Sequence, residues 1–341
     1  MMNRLNPRFL GVALIAIALL VAPFAFSGQQ YLLRVVTTAA IYAIAAYGLN
    51  IILGLTGQLS LAHGAFFGVG AYVVGLLTTD YDWSFWAAFL VAIVATTVLG
   101  YVSGLIALRT QGAYFAIFTM ALGFLIFIVV TRWESVTHAH SGVSGVKFPE
   151  NIGPIDFTKP TTMYYFVLLF LAGAAYTTHA LLRSSAGRSL VAIRTSEDLA
   201  KSIGVNVAVS KQLAFTASAT IAGLAGGLFA SLNGFIGPDS AGIDRTFEIL
   251  LFLLIGGMGT VMGPIIGSLV VAFLFETLQD LETYRFIVLG PIIVLLVIFA
   301  PRGIVGYLNE LVPARFKRRD TATLADPVAT AASNTKKDEV L

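Results

Sequence analysis

Cysteine is absent from this chain of 341 residues, which excludes disulfides, thiolate metal sites and cysteine nucleophiles together. Charge is nearly as scarce: 11% of residues are charged, against 57% hydrophobic. A soluble domain carries about 25% charged residues, so this chain cannot solvate a globular surface. Length alone suggests two soluble domains, but the composition points to one membrane bundle. No G-x-x-x-x-G-K-[ST] loop is present to cradle ATP phosphates, and neither H-E-x-x-H nor G-x-S-x-G occurs. The span centres offer no paired Asp, Glu, Lys or Arg of the kind expected in proton- or ion-coupled pumps; Glu248 and Glu276 read as lying toward helix ends, within reach of the interface. His138 and His140 form an H-x-H pair without a further His or Cys nearby, which favours solvated loop polarity over metal ligation. No catalytic set, metal, cofactor or nucleic-acid partner is expected.

Long apolar runs are what the chain does have. A hydrocarbon core of about 30 Å takes roughly 20 residues of helix, and candidate spans fall near 9–27, 32–53, 59–78, 84–107, 112–131, 163–182, 212–233, 246–259, 263–278 and 285–301. The expected fold is therefore all-α, a polytopic transmembrane helix bundle of about ten spans with Gly-broken helices. The eighth and ninth runs are short and meet at Gly256-Gly257-Met258-Gly259, so one broken span and two separate spans are both open. The first run also resembles a signal peptide, with Arg4 and Arg8 ahead of it and a small-residue site at Ala25-Phe26-Ser27; a retained helix is the favoured reading.

With the N-terminus inside, ten spans place Arg4, Arg8, Arg109, Arg183, Arg188, Arg194, Lys201 and Lys211 in the cytoplasm, together with the Lys and Arg residues after Pro301. Arg34, Arg132, Lys147, Lys159, Arg245 and Arg285 stay outside. This asymmetry is the one expected of an inner-membrane protein with both termini cytoplasmic. Residues 1–310 then form the transmembrane domain, with a basic inner loop at 183–211, and 311–341 form a disordered cytoplasmic tail.

Among the 33 glycines, several stand at informative breaks. Asn50, Thr56, Gln58, Ser60 and His63 sit among apolar residues interrupted by Gly54 and Gly57. Polar groups and irregular backbone persist at membrane depth only when buried in protein or facing a cavity, so this segment reads either as a broken helix lining a pathway or as a cytoplasmic turn. Gly64 and Gly68 would then pack the next helix. The second break holds Gly256, Gly257, Gly259 and Gly263, read as helix packing or gating; Gly259, Gly263 and Gly267 would share one face, and Ala219, Gly223 and Gly227 repeat the device. In the inner loop, Thr195 or Ser196 can cap a short helix with Glu197 and Asp198 in its first turn and Gly204 as its stop. Leu199, Ala200 and Ile203 would form its apolar face, preceded by Arg188 and Arg194. Two turns of helix are marginal alone, so docking to a soluble partner is expected, with a helix lying on the membrane surface as the other reading.

Several stretches together resemble permeases of bacterial ATP-binding-cassette importers, specifically the LivM type for branched-chain amino acids. They are Gly48 to Ser60, His63 to Tyr72, Leu108 to Ala116, Ser141 to Val146, Gly187 to Arg194 and Gly256 to Pro264. Asp198-Leu199-Ala200-Lys201-Ser202-Ile203-Gly204 is loosely similar to the E-A-A-x-x-x-G coupling loop of importer permeases, with Asp and Leu in the first two places. The resemblance implies a passage-forming subunit without its own ATP site. It also implies a second, LivH-like permease, two ATP-binding subunits and an extracytoplasmic substrate-binding protein around it. Permeases for urea and short amides share the family type and stay open as alternatives. An ion-coupled secondary transporter or channel, or a membrane enzyme, fits the residues less well.

Overall fold

The computed structural model describes residues 7–25, 28–277 and 303–311. The candidate span 285–301 and most of the tail lie outside them. Nine of the ten apolar runs correspond to helices. They are α1 (Pro7–Ala25), α2 (Gln30–Leu49), α3 (His63–Thr79), α4 (Phe85–Ala107), α5 (Ala113–Arg132), α7 (Pro160–Arg183), α10 (Val207–Asn233), α11 (Ile243–Gly256) and α12 (Gly263–Thr277). Short helices α6 (Glu134–Thr137), α8 (Ser185–Thr195), α9 (Glu197–Ser202) and α13 (Gly303–Leu311) complete the described residues.

Local chemistry sets the boundaries. Ser84 caps α4, Ser184 caps α8 and Asn206 caps α10, each side-chain oxygen accepting a backbone N–H in the first turn. Gly234, at φ +68°, ends α10 in the left-handed conformation that glycine adopts without strain. A π-helical turn over Asn50–Leu55 extends α2, making one apolar stretch of 26 residues. By length and composition that stretch, α4, α5, α7 and α10 are the five helices among the described residues able to cross a membrane. Ten spans is thus a finer statement than the helices themselves carry.

The Gln30–Leu55 stretch runs through the centre, 89% buried in its most apolar window, whereas α4, α5 and α7 turn apolar residues such as Leu90, Val94, Phe124, Leu125 and Leu169 outward. Such a surface needs lipid around it. Helix α10 packs against α2, α3 and α4. Its small-residue stripe meets α4, with Ala219 at Gly100, Gly223 at Thr96 and Gly227 at Phe89, so the expected packing role holds. Helix α1 docks on α7, where the Tyr164 hydroxyl donates to the Leu19 carbonyl at 2.6 Å.

Two ends of the bundle can be told apart. At one, β1 (Val143–Ser144) pairs antiparallel with β2 (Phe235–Ile236). At the other lie α8 and α9. From the strand end the chain turns back inward: Ile236 packs on Gly75, Ala241 on Gly68 and Gly242 on Gly64. Gly64 and Gly75 are about 16 Å apart along α3 at ~1.5 Å per residue, so residues 236–242 descend that far into the bundle with only one 3-10 turn, Pro238–Ala241. The glycines Gly64 and Gly68 do pack a neighbour, but it is this descending segment.

Helices α11 and α12 are two elements, not one broken span. They fold back as a hairpin so close that Gly256 lies against the Gly263 backbone and Gly267 against the Phe252 and Gly256 backbone. Gly259 is not part of that seam. It stands in the turn at φ +73°, so the expected face of three glycines reduces to Gly263 and Gly267, completed by Gly256 from the partner helix.

Candidate functional site

The break after α2 begins in its π-helical turn, a form found mostly as single turns within α-helices and frequently at functional sites. Residues 57–62 are non-helical, and α3 starts at His63. Segment 61–62 lies deep in the bundle: the Leu61 N–H donates to Thr119 Oγ1 at 3.0 Å, and Thr246 Oγ1 donates to the Leu61 carbonyl at 3.3 Å. Thr119 stands four residues from Phe115, itself fully buried, and its own hydroxyl donates back to that carbonyl. Irregular backbone at this depth is held by side-chain hydroxyls from α5 and α11.

All five polar residues singled out in this break are buried. Asn50 bridges to the second break, its Oδ1 accepting from the Gly259 N–H at 2.7 Å and its Nδ2 donating to the Thr260 carbonyl at 2.9 Å. Thr56 donates back to the Ile52 carbonyl at 2.5 Å. His63 lies 3.2 Å from Ser60 through Nδ1 and 2.6 Å from Ser218 through Nε2, and Ser218 in turn donates to the Gly48 carbonyl. Gln58 differs from the others. Neither its amide nitrogen nor its amide oxygen has a hydrogen-bond partner within the described residues. A buried carboxamide left so is costly, and a passing polar ligand or a neighbouring subunit would satisfy it.

The two glycine-rich breaks touch. A Cβ at Gly54 would collide with Asn50 Oδ1 and stand 2.7 Å from the Gly259 backbone nitrogen, so the contact depends on glycine. The Tyr47 hydroxyl donates to the Val261 carbonyl on the same contact. Arg194 of α8 reaches this junction and donates through Nη1 to the Gly54 carbonyl at 2.6 Å. Its side chain also packs against Gly57. Arg194 was legible in sequence as part of the inner loop; its contact with the first break was not.

Ser196 caps α9, accepting from the Leu199 N–H at 3.3 Å, and Gly204 follows it at φ +85°. The expected apolar face is corrected in one respect. Leu199 and Ile203 are 64% and 69% exposed, but Ala200 is buried against Ile193 and Val207. Positions 199 and 203, four apart, share one side of the turn, while position 200 is rotated by about 100° from 199 and faces the protein instead. Asp198 pairs with Lys201 at 3.2 Å, and Arg188 donates to the Arg183 carbonyl at 3.2 Å. Glu197 joins Lys211, whose side chain is buried, and accepts from Gln111 at 3.1 Å. Residues 109–112, Tyr114, Glu197 and Asp198 line an open recess of about 810 Å³.

Glu248 does lie toward the start of α11, but it is paired and largely buried rather than at a solvated interface. Arg245 and Glu248 of α11 form an ion pair of 2.6 Å with side chains 17% and 12% exposed. They are three residues apart, a spacing that puts them on one helix face and was readable in the sequence. Their depth was not, because it follows from the descent of residues 236–242. Glu276 does lie at the end of its helix, half-buried, accepting from the Tyr31 hydroxyl at 2.8 Å. His138 lies 2.9 Å from Asp80, and no group of three potential ligands forms a metal cluster among the described residues.

A lipid-facing helix bundle, a polar irregular segment at its centre and a loop-borne Arg fastened to that segment together define a membrane transport protein. The chain belongs to the family described as "Branched-chain amino acid transport system / permease component", which matches residues 31–317. It is similar to the high-affinity branched-chain amino acid transport permease LivM of Escherichia coli, 29% identical over 314 residues, 85% of this chain and 74% of the relative. It is also similar to LivH of the same organism, 26% identical over 300 residues, 81% of this chain and 95% of the relative. A further relative is the ribose import permease RbsC of Haemophilus influenzae, 24% identical over 300 residues, 85% of this chain and 90% of the relative. No solved structure matches the chain.

Proposed function

We propose that this chain is a permease subunit of an ATP-binding-cassette importer and forms part of the passage for branched-chain amino acids across the bacterial inner membrane. Its partners in this reading are a second, LivH-like permease, two ATP-binding subunits and an extracytoplasmic substrate-binding protein. The relatives' names supply the substrate class, and the chain's own features supply the mechanism. The α8–α9 end is cytoplasmic, both termini lie inside, and ten spans connect them. Leu199 and Ile203 then present an apolar surface to an ATPase subunit, beside the recess that holds Glu197 and Asp198.

One observation carries the mechanism: Arg194 joins the docking loop to Gly54. A shift of α8 pulls on the π-helical end of α2. Through Gly54 against Gly259, and through Asn50 bonded to Gly259 and Thr260, the same shift reaches the α11–α12 hairpin. Close-packed backbones transmit such a displacement because they have no room to absorb it. Asn50, Thr56, Ser60 and His63 hold the shape of the pathway, and Gln58 offers the open donor and acceptor.

The test is purification from membranes followed by reconstitution. Co-purification with an ATPase subunit, and ATP-dependent uptake of labelled leucine in the presence of the binding protein, are expected. Uptake of urea or a short amide in place of leucine would move the substrate class. Uptake without any ATPase would contradict the reading.

A further inference from the structure

The Arg245–Glu248 pair has a place and a setting that packing does not require. Its helix begins where the descending segment reaches Gly64, and its guanidinium lies beside Tyr42, halfway along the 26-residue Gln30–Leu55 stretch. Ring centroids of Tyr42, Phe67 and Phe229 stand 5.3, 5.9 and 5.3 Å from the guanidinium carbon. Arg245 donates to the Tyr42 hydroxyl and to Glu248, while its buried Nε has no acceptor within the described residues. Next to the pair, Asp244 is exposed. Ionised groups at mid-span are expensive and face a water-filled cavity or a partner. An apolar pair of similar volume would hold a helix hairpin as well or better.

We propose that Arg245 and Glu248 form a subsite for a zwitterionic α-amino acid in the passage, Arg245 taking the carboxylate and Glu248 the ammonium. This rests on the permease reading above. Without ligand the two side chains neutralise each other. With ligand, one ion pair opens into two, and because the zwitterion is itself neutral its arrival leaves the charge of the subsite, to which nearby Asp239 also contributes, unchanged. That balance is what a doubly charged solute needs to shed its water at bilayer depth. The planar guanidinium matches a carboxylate bidentately and has an uncommitted Nε–H to contribute. The surrounding Tyr and Phe rings suit an aliphatic side chain.

The experiment uses the reconstituted transporter with its binding protein. Arg245→Gln and Glu248→Gln should each lower leucine uptake by about tenfold or more, with the complex still assembled. The exchanged pair, Arg245→Glu with Glu248→Arg, keeps an ion pair but reverses its order along the helix. It should remain inactive; uptake at the wild-type rate would show that the pair serves only packing and overturn the proposal. Should the exchanged protein fail to assemble, an accessibility measurement decides. The chain has no cysteine, so Asp244→Cys can be labelled alone with a charged thiol reagent. Leucine should slow that labelling, while leucinamide, which lacks the carboxylate, should not. Equal labelling rates with and without leucine would overturn the proposal. Failure of the wild-type transporter to take up leucine at all would instead count against the permease reading.

Discussion

Asn50 holds the chain on both sides of one peptide bond, accepting from the Gly259 N–H and donating to the Thr260 carbonyl 210 residues away. A carboxamide is the only small side chain that offers an acceptor and a donor in this geometry. Asn50→Asp removes the donor and adds charge, and Asn50→Leu removes both bonds. Each should destabilise the assembled protein by about 1–3 kcal/mol and lower uptake. Thermal denaturation in detergent, run beside the uptake assay, checks this; unchanged behaviour of both variants would return Asn50 to passive burial.

This contact shows which parts of the molecule were readable in advance. The apolar runs gave nine helices because a stretch that must satisfy its own backbone in lipid has few alternatives to helix. The two glycine breaks and Ser196 as a cap were equally local signals. Their meeting at Gly54 and Gly259 was not, since nothing in either stretch names its partner. Ala200 was grouped with the partner-docking face for a related reason: on a two-turn helix the face is chosen by what lies beneath, here Ile193 and Val207. The Arg245–Glu248 spacing was visible, but its depth depends on a descending segment that carries no periodic pattern.

Ala200, Leu199 and Ile203 should therefore behave differently. Ala200→Asp places an unpaired charge in the small cluster with Ile193 and Val207 and should destabilise the loop by about 3 kcal/mol, seen as faster proteolysis between α8 and α10. Leu199→Asp and Ile203→Asp lie on the surface and should change stability by no more than about 0.5 kcal/mol, yet weaken retention of the ATPase subunit on purification. Equal proteolysis of all three variants would contradict the buried position of Ala200.

The hairpin seam leaves no volume at Gly263, where an added Cβ would meet Gly257 backbone. Gly263→Val should cost about 2–3 kcal/mol. Gly173 has nothing within 4 Å of an added Cβ, so Gly173→Val serves as the control, with a change within about 0.5 kcal/mol. Comparable melting temperatures for the two variants would argue against a closed seam.

Asp82, in the turn between α3 and α4, is bonded to Lys147, and that hydrogen bond, with the Lys147 charge behind it, holds the Asp82 carboxyl below its usual value. A depressed carboxylate adds stability above its unfolded pKa of about 3.9 and loses it as pH falls through the lower folded value. Hydrogen exchange around residues 143–148 should accelerate as pH is lowered from about 5 to about 3, after correction for intrinsic rates. In Asp82→Asn that pH dependence should be absent. A wild-type profile as flat as that of the variant would rule the pairing out as a contributor.

Side placement is checked by tags inserted after Lys147 and after Lys201. Accessibility from opposite faces of the membrane is expected, because the first stands at the β1–β2 end and the second on α9. Labelling of both tags from the same face would contradict the topology.

The most direct measurement is leucine-stimulated ATP hydrolysis by the reconstituted complex carrying Arg194→Met. Methionine keeps much of the packing against Gly57 but cannot donate to the Gly54 carbonyl. We expect the complex to assemble and the stimulation by leucine and binding protein to disappear. Stimulation equal to wild type, with uptake intact, would show that force does not pass from the α8–α9 loop to the glycine breaks through Arg194.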